Sequence, residues 1–264
     1  MSRLSDPLPD AAPAGRLAVV GIGPGAAEWL APAAREELAL AQDIVGYTTY
    51  VELAGPFRAE QRVLDSDNRC EMERARLAFE LAAQGRRVAV VSSGDPGIFA
   101  MAAAVMEALE QSHDPNWHAV ELVILPGISA AQLAAARVGA PLGHDFCVLS
   151  LSNNLKPWAQ IARRLEHAAQ ADLVIALYNP RSVARPQQFA QALDLLRIHR
   201  APTTPVVLGR DVGRPDELVR VTTLGEVVPE QVDMRTVVII GSSQTRLFPR
   251  LTGGNWVYTP RWYP

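Results

Sequence analysis

Short aliphatic runs alternate with amphipathic stretches of helical length along most of this chain. The run Leu17-Ala18-Val19-Val20-Gly21-Ile22 is followed by helical periodicity over 32–41. Further aliphatic runs at 87–92, 120–125, 146–150, 172–178, 205–209, 218–223 and 236–240 predict strands. Helical spacing fills 71–84, 98–111, 129–138, 157–170 and 186–200. Strands separated by helix-length segments imply βαβ units. The expected fold class is therefore α/β, as two α/β domains with largely parallel sheets. Gly139, Pro141 and Gly143 interrupt the periodicity and place the boundary there. The expected division is a loose tail over 1–15, an N-terminal domain over 16–142 and a C-terminal domain over 143–264.

Composition narrows the class of function. The 264 residues are 48% hydrophobic and 20% charged, with a net charge of −3, which fits a globular protein with a substantial core. Net acidity argues against nucleic acid as a partner. The longest mostly apolar run, 97–109, is too short to span a bilayer, and the polar, proline-rich first fifteen residues do not read as a secretory signal. A cytoplasmic protein without membrane attachment is expected. Cys70 and Cys147 are the only cysteines; they form no metal-ligand pattern, and no metal is called for. Lys156 is the only lysine among 25 basic residues. Arginine's planar fork suits carboxylates and phosphates, although a GC-rich genome produces the same bias.

In open α/β sheets, ligands lie beyond the carboxyl ends of the strands, and four loops there carry candidate chemistry. Gly21-Ile22-Gly23-Pro24-Gly25-Ala26 satisfies a dinucleotide-binding pattern. No acidic residue follows the next strand to hold a ribose, and Pro24 lacks an amide. In Ser92-Ser93-Gly94-Asp95-Pro96-Gly97, Asp95 is expected to cap a helix that begins at Pro96. Pro126-Gly127-Ile128-Ser129-Ala130 has the same construction, with Ser129 as the cap of the next helix or as a hydroxyl facing a ligand. The fourth loop is Tyr178-Asn179-Pro180-Arg181.

The order Gly-x-Gly-Pro-Gly, Gly-Asp-Pro, Pro-Gly-Ile-Ser-Ala over two α/β halves resembles the tetrapyrrole methylase family. The segments 44–51, 67–75, 91–100 and 256–261 are similar to the branch of that family that methylates a precorrin at C-17 in cobalamin synthesis. The resemblance implies S-adenosylmethionine as methyl donor, an active-site cleft between the domains, ring contraction of the macrocycle, and a homodimer. It implies cofactor contacts from Ser93, Gly94, Asp95, Ile98, Ser129, Ala130, Tyr178, Asn179, Arg210, Asp211 and Thr236. It sets Gly23 and Pro24 toward the tetrapyrrole.

The ring contraction that the resemblance implies begins by deprotonating a hydroxyl, so a positioned acid or base is wanted. Asp67, Tyr47 and Thr48 are the leading candidates, with Asp65, Thr49, Glu71 and His144 behind them; His144 beside Asp145 reads more simply as a locally bonded loop residue. Arg69 and Arg74, with Arg58 and Arg62, are candidates for gripping substrate carboxylates. Other members of the same family, acting on another precorrin position, a cobalt-containing substrate or diphthine, are the nearest alternatives. A nicotinamide-dependent oxidoreductase is the reading the glycine loop alone would support.

Overall fold

The computed structural model describes residues 15–67 and 70–262. The expected tail over 1–15, apart from Gly15, lies outside the described residues, as does Arg69. The chain forms two compact units, 1–128 and 129–264.

In the first unit the elements run β1 (Arg16–Gly21), α1 (Pro32–Leu40), β2 (Asp43–Tyr47), α2 (Thr48–Ala54), β3 (Arg62–Ser66), α3 (Glu71–Ala83), β4 (Arg87–Ser92), α4 (Met101–Gln111), α5 (Pro115–His118) and β5 (Glu121–Leu125). The five strands form one sheet in the order β3-β2-β4-β1-β5, and every pairing is parallel. Because side chains alternate across a strand, Leu17 and Val19 pack with Ala75, Phe79 and Val105 of α3 and α4. Ala18 and Val20 pack on the other face with Ala34 and Leu38 of α1. Covering both faces explains why the central strands read as unbroken aliphatic runs. At the amino edge, the fully buried Asp43 carboxylate pairs with Arg62 and Arg86, which satisfies a charge that would otherwise be costly to bury.

The second unit contains α6 (Ala130–Val138), β6 (Gly139–Ala140), β7 (Phe146–Ser150), α7 (Trp158–Gln170), β8 (Val174–Tyr178), α8 (Gln188–His199), β9 (Pro205–Arg210), β10 (Leu218–Thr223), β11 (Thr236–Ile240), β12 (Arg246–Pro249) and β13 (Asn255–Tyr258). Its main sheet has the order β10-β9-β11-β8-β7, and β12-β13-β6 forms a separate small sheet. Leu165 of α7 and Leu193 of α8 share a core with Ile175, Leu177, Leu208 and Val238. α6 packs with β9 and β11, so closely that a Cβ on Gly209 would lie 2.8 Å from Ala134 Cβ.

Two expectations change. Parallel pairing holds throughout the first sheet and at β7–β8, but β8, β11, β9 and β10 pair antiparallel. After β9 the connections are short and carry no crossover helix, and a parallel return requires one. The units divide before α6 rather than at 142–143, because α6 and β6 pack within the second unit. The small sheet was also absent from the sequence reading; β12 and β13 are four residues each, below the length at which periodicity is diagnostic.

Arg137 of α6 holds Glu217, just before β10, with Nε–Oε1 2.7 Å and Nη2–Oε2 3.1 Å. Burial pushes the Glu217 carboxyl up, but the Arg137 hydrogen bonds and the Gly213 amide outweigh it, so the net shift is downward. Its folded pKa is thus below the unfolded value, and its contribution to stability is full above about pH 4.3 and fades as pH falls through the folded value. Urea denaturation between pH 3 and 7 should show this loss, and Glu217→Gln should flatten that part of the profile while lowering stability at pH 7.

Candidate active site

The carboxyl edge of the first sheet is tied together by main-chain contacts. The Ile22 amide donates to Ser92 O (2.9 Å), while Gly23 and Gly94 exchange amide hydrogen bonds at 3.2 and 2.7 Å. Both glycines have positive φ, 69° and 66°, a conformation that costs other residues strain. A Cβ on Gly127 would sit 2.1 Å from Gly94 O, and one on Gly21 would sit 2.7 Å from Gly127 N. The loops after β1, β4 and β5 therefore meet backbone to backbone. Gly23 spends its amide and carbonyl on Gly94 instead of presenting them to a pyrophosphate.

Asp95 does not cap a helix, contrary to expectation. Its Oδ1 accepts from Gly97 N (2.8 Å) and its Oδ2 from Gly127 N (3.1 Å), joining the β4 and β5 loops. Phe99 at φ 54° interrupts the backbone, and α4 starts only at Met101 after an extended Ala100. Ser93, Gly94 and Asp95 are each partly exposed along this edge. A Cβ on Gly97 would meet only Asp95 Oδ1, at 3.2 Å, so a ligand has access to the main chain there.

The ends of β2 and β3 lie on the same edge. Tyr47 meets Tyr50 edge-on at 5.0 Å. Thr48 Oγ1 donates to Asp65 Oδ2 at 2.7 Å, a pair the sequence could not show because β3 was not recognised as a strand. Arg74 departs from its expected role: it is 3% exposed, and its Nη2 donates to Asp67 O (2.8 Å) and Ser66 Oγ (3.1 Å). It fixes the β3–α3 loop from within, and burial lowers its pKa. His144 is bonded locally, accepting from Asp145 N at 2.7 Å through Nδ1.

In the second unit, the edge formed by the ends of β7, β8 and β9 and the start of β11 gathers the other predicted residues. Register pairs Ser150 with Tyr178 and Arg210 with Thr236. Ser129 forms the expected cap of α6, a reciprocal capping box with Gln132. Tyr178 Oη accepts from Ala131 N at 3.0 Å, so this hydroxyl serves the first turn of α6. Asn179, at φ 52°, donates through Nδ2 to Ser150 Oγ at 3.0 Å. Asp211 is 4% exposed at φ 48° and is flanked by Arg210 (3.0 Å) and Arg235 (2.6 Å). Arg210 also binds Asp233 (2.9 Å), whose Oδ1 accepts from Thr236 Oγ1 (2.9 Å). Burial alone would raise the Asp233 pKa, but Arg210, Thr236 and the Arg235 amide lower it. Asp233 and Arg235, which complete this charged cluster, carry no local signal in the sequence.

The tetrapyrrole (corrin/porphyrin) methylase profile matches residues 16–228. This chain belongs to the tetrapyrrole methylases. The methyltransferase is 51% identical to the precorrin-3B C(17)-methyltransferase of Sinorhizobium sp, over 94% of this chain and 97% of that protein. It is 42% identical to a probable cobalt-factor III C(17)-methyltransferase of Salmonella typhimurium, over 94% of this chain and 99% of that one. Among solved structures, the methyltransferase CobJ superposes with a TM-score of 0.87 at 48% identity, over 93% of this chain and 100% of that chain. A methylase of this family makes the nicotinamide reading of the glycine loop unnecessary. Among the described residues no helix is long and apolar enough to cross a membrane.

Two substitutions test how the edges are built. Gly127→Ala must displace the β4 loop and should cost at least the 1–3 kcal/mol typical of overpacking, read by chemical denaturation. Tyr178→Phe strands the Ala131 amide and should cost about 1–3 kcal/mol, with no change in the far-ultraviolet spectrum of the folded protein.

Proposed function

We propose that this chain methylates precorrin-3B at C-17, with S-adenosylmethionine as donor and with ring contraction to precorrin-4. The observation that carries the reading is 51% identity spread over 97% of the Sinorhizobium enzyme, against 42% for the cobalt-factor relative. The first unit's edge fits such a donor: Gly97 leaves the main chain approachable, and small residues line it. We assign Ser93, Gly94, Asp95 and Ile98 to the methionine and ribose end. Tyr178 and Asn179 are assigned to the adenine, with Ser129, Ala130, Arg210, Asp211 and Thr236 as further cofactor contacts; Gly23, Pro24, Arg69 and Arg74 are assigned to the tetrapyrrole, with Arg74 acting through the loop it holds.

When bound, the donor supplies an electrophilic methyl group on a sulfonium, so the protein's task is chiefly alignment and exclusion of water. The ring contraction asks for more. The Thr48 hydroxyl, held on Asp65 at 2.7 Å, can accept a proton from a substrate hydroxyl while passing its own to the carboxylate. Tyr47 and Asp67 flank this pair on the same edge. The reading also includes a cytoplasmic homodimer; the half-exposed Leu247, Phe248 and Trp256 of the small sheet supply apolar surface of the kind subunit contacts bury.

Incubation with labelled S-adenosylmethionine and either precorrin-3B or its cobalt counterpart, followed by mass and NMR analysis, tests the assignment. Label should enter at C-17 of the metal-free substrate; transfer confined to the cobalt form, or none, overturns it. With the same assay, Asp65→Asn should slow appearance of the contracted product by about 100-fold, within the range for a lost general base, while label transfer continues.

A further inference from the structure

Arg74, Arg185 and Arg200 are the arginines buried to more than nine-tenths among the described residues. Arg200 has a carboxylate, that of Asp172. Arg185, 7% exposed, has none. Its Nη1 reaches Leu151 O and Asn179 O, each at 3.4 Å, and its Nη2 reaches the Met234 sulfur at 3.3 Å. The two carbonyl contacts lie at the long limit of hydrogen bonding, and the thioether, though within reach, is a weak acceptor. Desolvation alone acts on the group and lowers its pKa. A buried charge without an opposite charge is expensive, in a chain with 28 acidic residues from which a partner could have come.

The position adds a second observation. Arg185 touches the carbonyl of Asn179, in the turn after β8, and Leu151 just past β7, so it stands on the ligand edge of the second unit. Its outer neighbour, Met234, is 46% exposed and adjoins Asp233 and Arg235 of that edge. A methionine side chain has three rotatable bonds and repacks cheaply. Moving its sulfur aside exposes the guanidinium, and the vacated place faces Nη2.

We propose that Arg185 is a receptor for a ligand carboxylate, with Met234 as the displaceable cover that occupies the carboxylate's place in the free protein. Two carboxylate sources follow from the proposed function, on which this inference rests: the side chains of the tetrapyrrole and the methionine carboxylate of the methyl donor. The guanidinium fork offers either a bidentate, charge-assisted contact.

Calorimetry with S-adenosylhomocysteine and with 5′-methylthioadenosine, which lacks the amino acid, separates the sources when combined with the KM for precorrin-3B. Arg185→Gln should weaken one carboxylate ligand about tenfold or more, the scale of a charged hydrogen bond. Weakened S-adenosylhomocysteine with unaltered methylthioadenosine assigns the donor; a raised precorrin KM alone assigns the substrate. Removing an uncompensated charge should leave the ligand-free melting temperature unchanged or higher. If Arg185→Gln does not fold, Arg185→Lys keeps the charge without the fork and should weaken the same ligand several-fold. Both affinities within twofold of the parent in the variant tested, or a lowered melting temperature with binding intact, would show Arg185 to be a structural clip and overturn the proposal. Failure of the unsubstituted protein to bind either ligand instead refutes the proposed function.

Discussion

The meeting of Gly21, Gly94 and Gly127 is the contact on which the carboxyl edge of the first sheet depends. Three loops from three parallel strands approach to distances that exclude any Cβ, and Asp95 locks two of them with a pair of amide hydrogen bonds. Each bond is worth little alone, on the order of 1–3 kcal/mol with a charged acceptor. Together they remove the independent freedom of the loops before a ligand arrives, which lowers the cost of binding. The glycines that resemble a dinucleotide fingerprint are thus explained by backbone packing, and the missing ribose acid by a different ligand chemistry.

The central strands and the longer helices were legible because their periodicity is imposed by burial: Leu17 and Val19 face one helical layer, and Ala18 and Val20 the other. Strand direction in the second sheet was not legible. It follows from whether a crossover helix intervenes, and the stretch between Arg210 and Leu218 holds only a turn. At the site, the sequence identified loops better than roles. Asp95 carries the residue type and flanking glycines of a cap, yet the left-handed Phe99 downstream delays the helix. Arg74 lies at helical spacing on α3 with Ala75 and Ala78, and nothing in that pattern shows that its guanidinium turns inward to Ser66 and Asp67. Thr48 and Asp65 come together only through the β2–β3 register, in which Gly46 stands opposite Asp65.

The near-exclusive use of arginine has several physical outcomes in one molecule. Arg62 and Arg86 neutralise the buried Asp43, Arg137 clamps Glu217 with both arms of its fork, and Arg197 reaches the carbonyls of Leu224 and Val227. Arg74 and Arg185 differ from these: each is buried and each faces a methionine sulfur, Met101 and Met234 respectively. A lysine could replace few of these, because most use two or more donors in fixed geometry.

The ion pairs around Asp43 and Glu37 gather at the amino edge of the first sheet, at the opposite ends of the strands from the glycine contact. Sequence change at the two ends is therefore under different constraint. Near Asp43 the constraint is charge balance: a substitution there has to keep the buried carboxylate paired. At Gly21 and Gly127 even one methyl group is too large, so variation at that end is confined to side chains that project from the strand ends and leaves the loops that carry them in place.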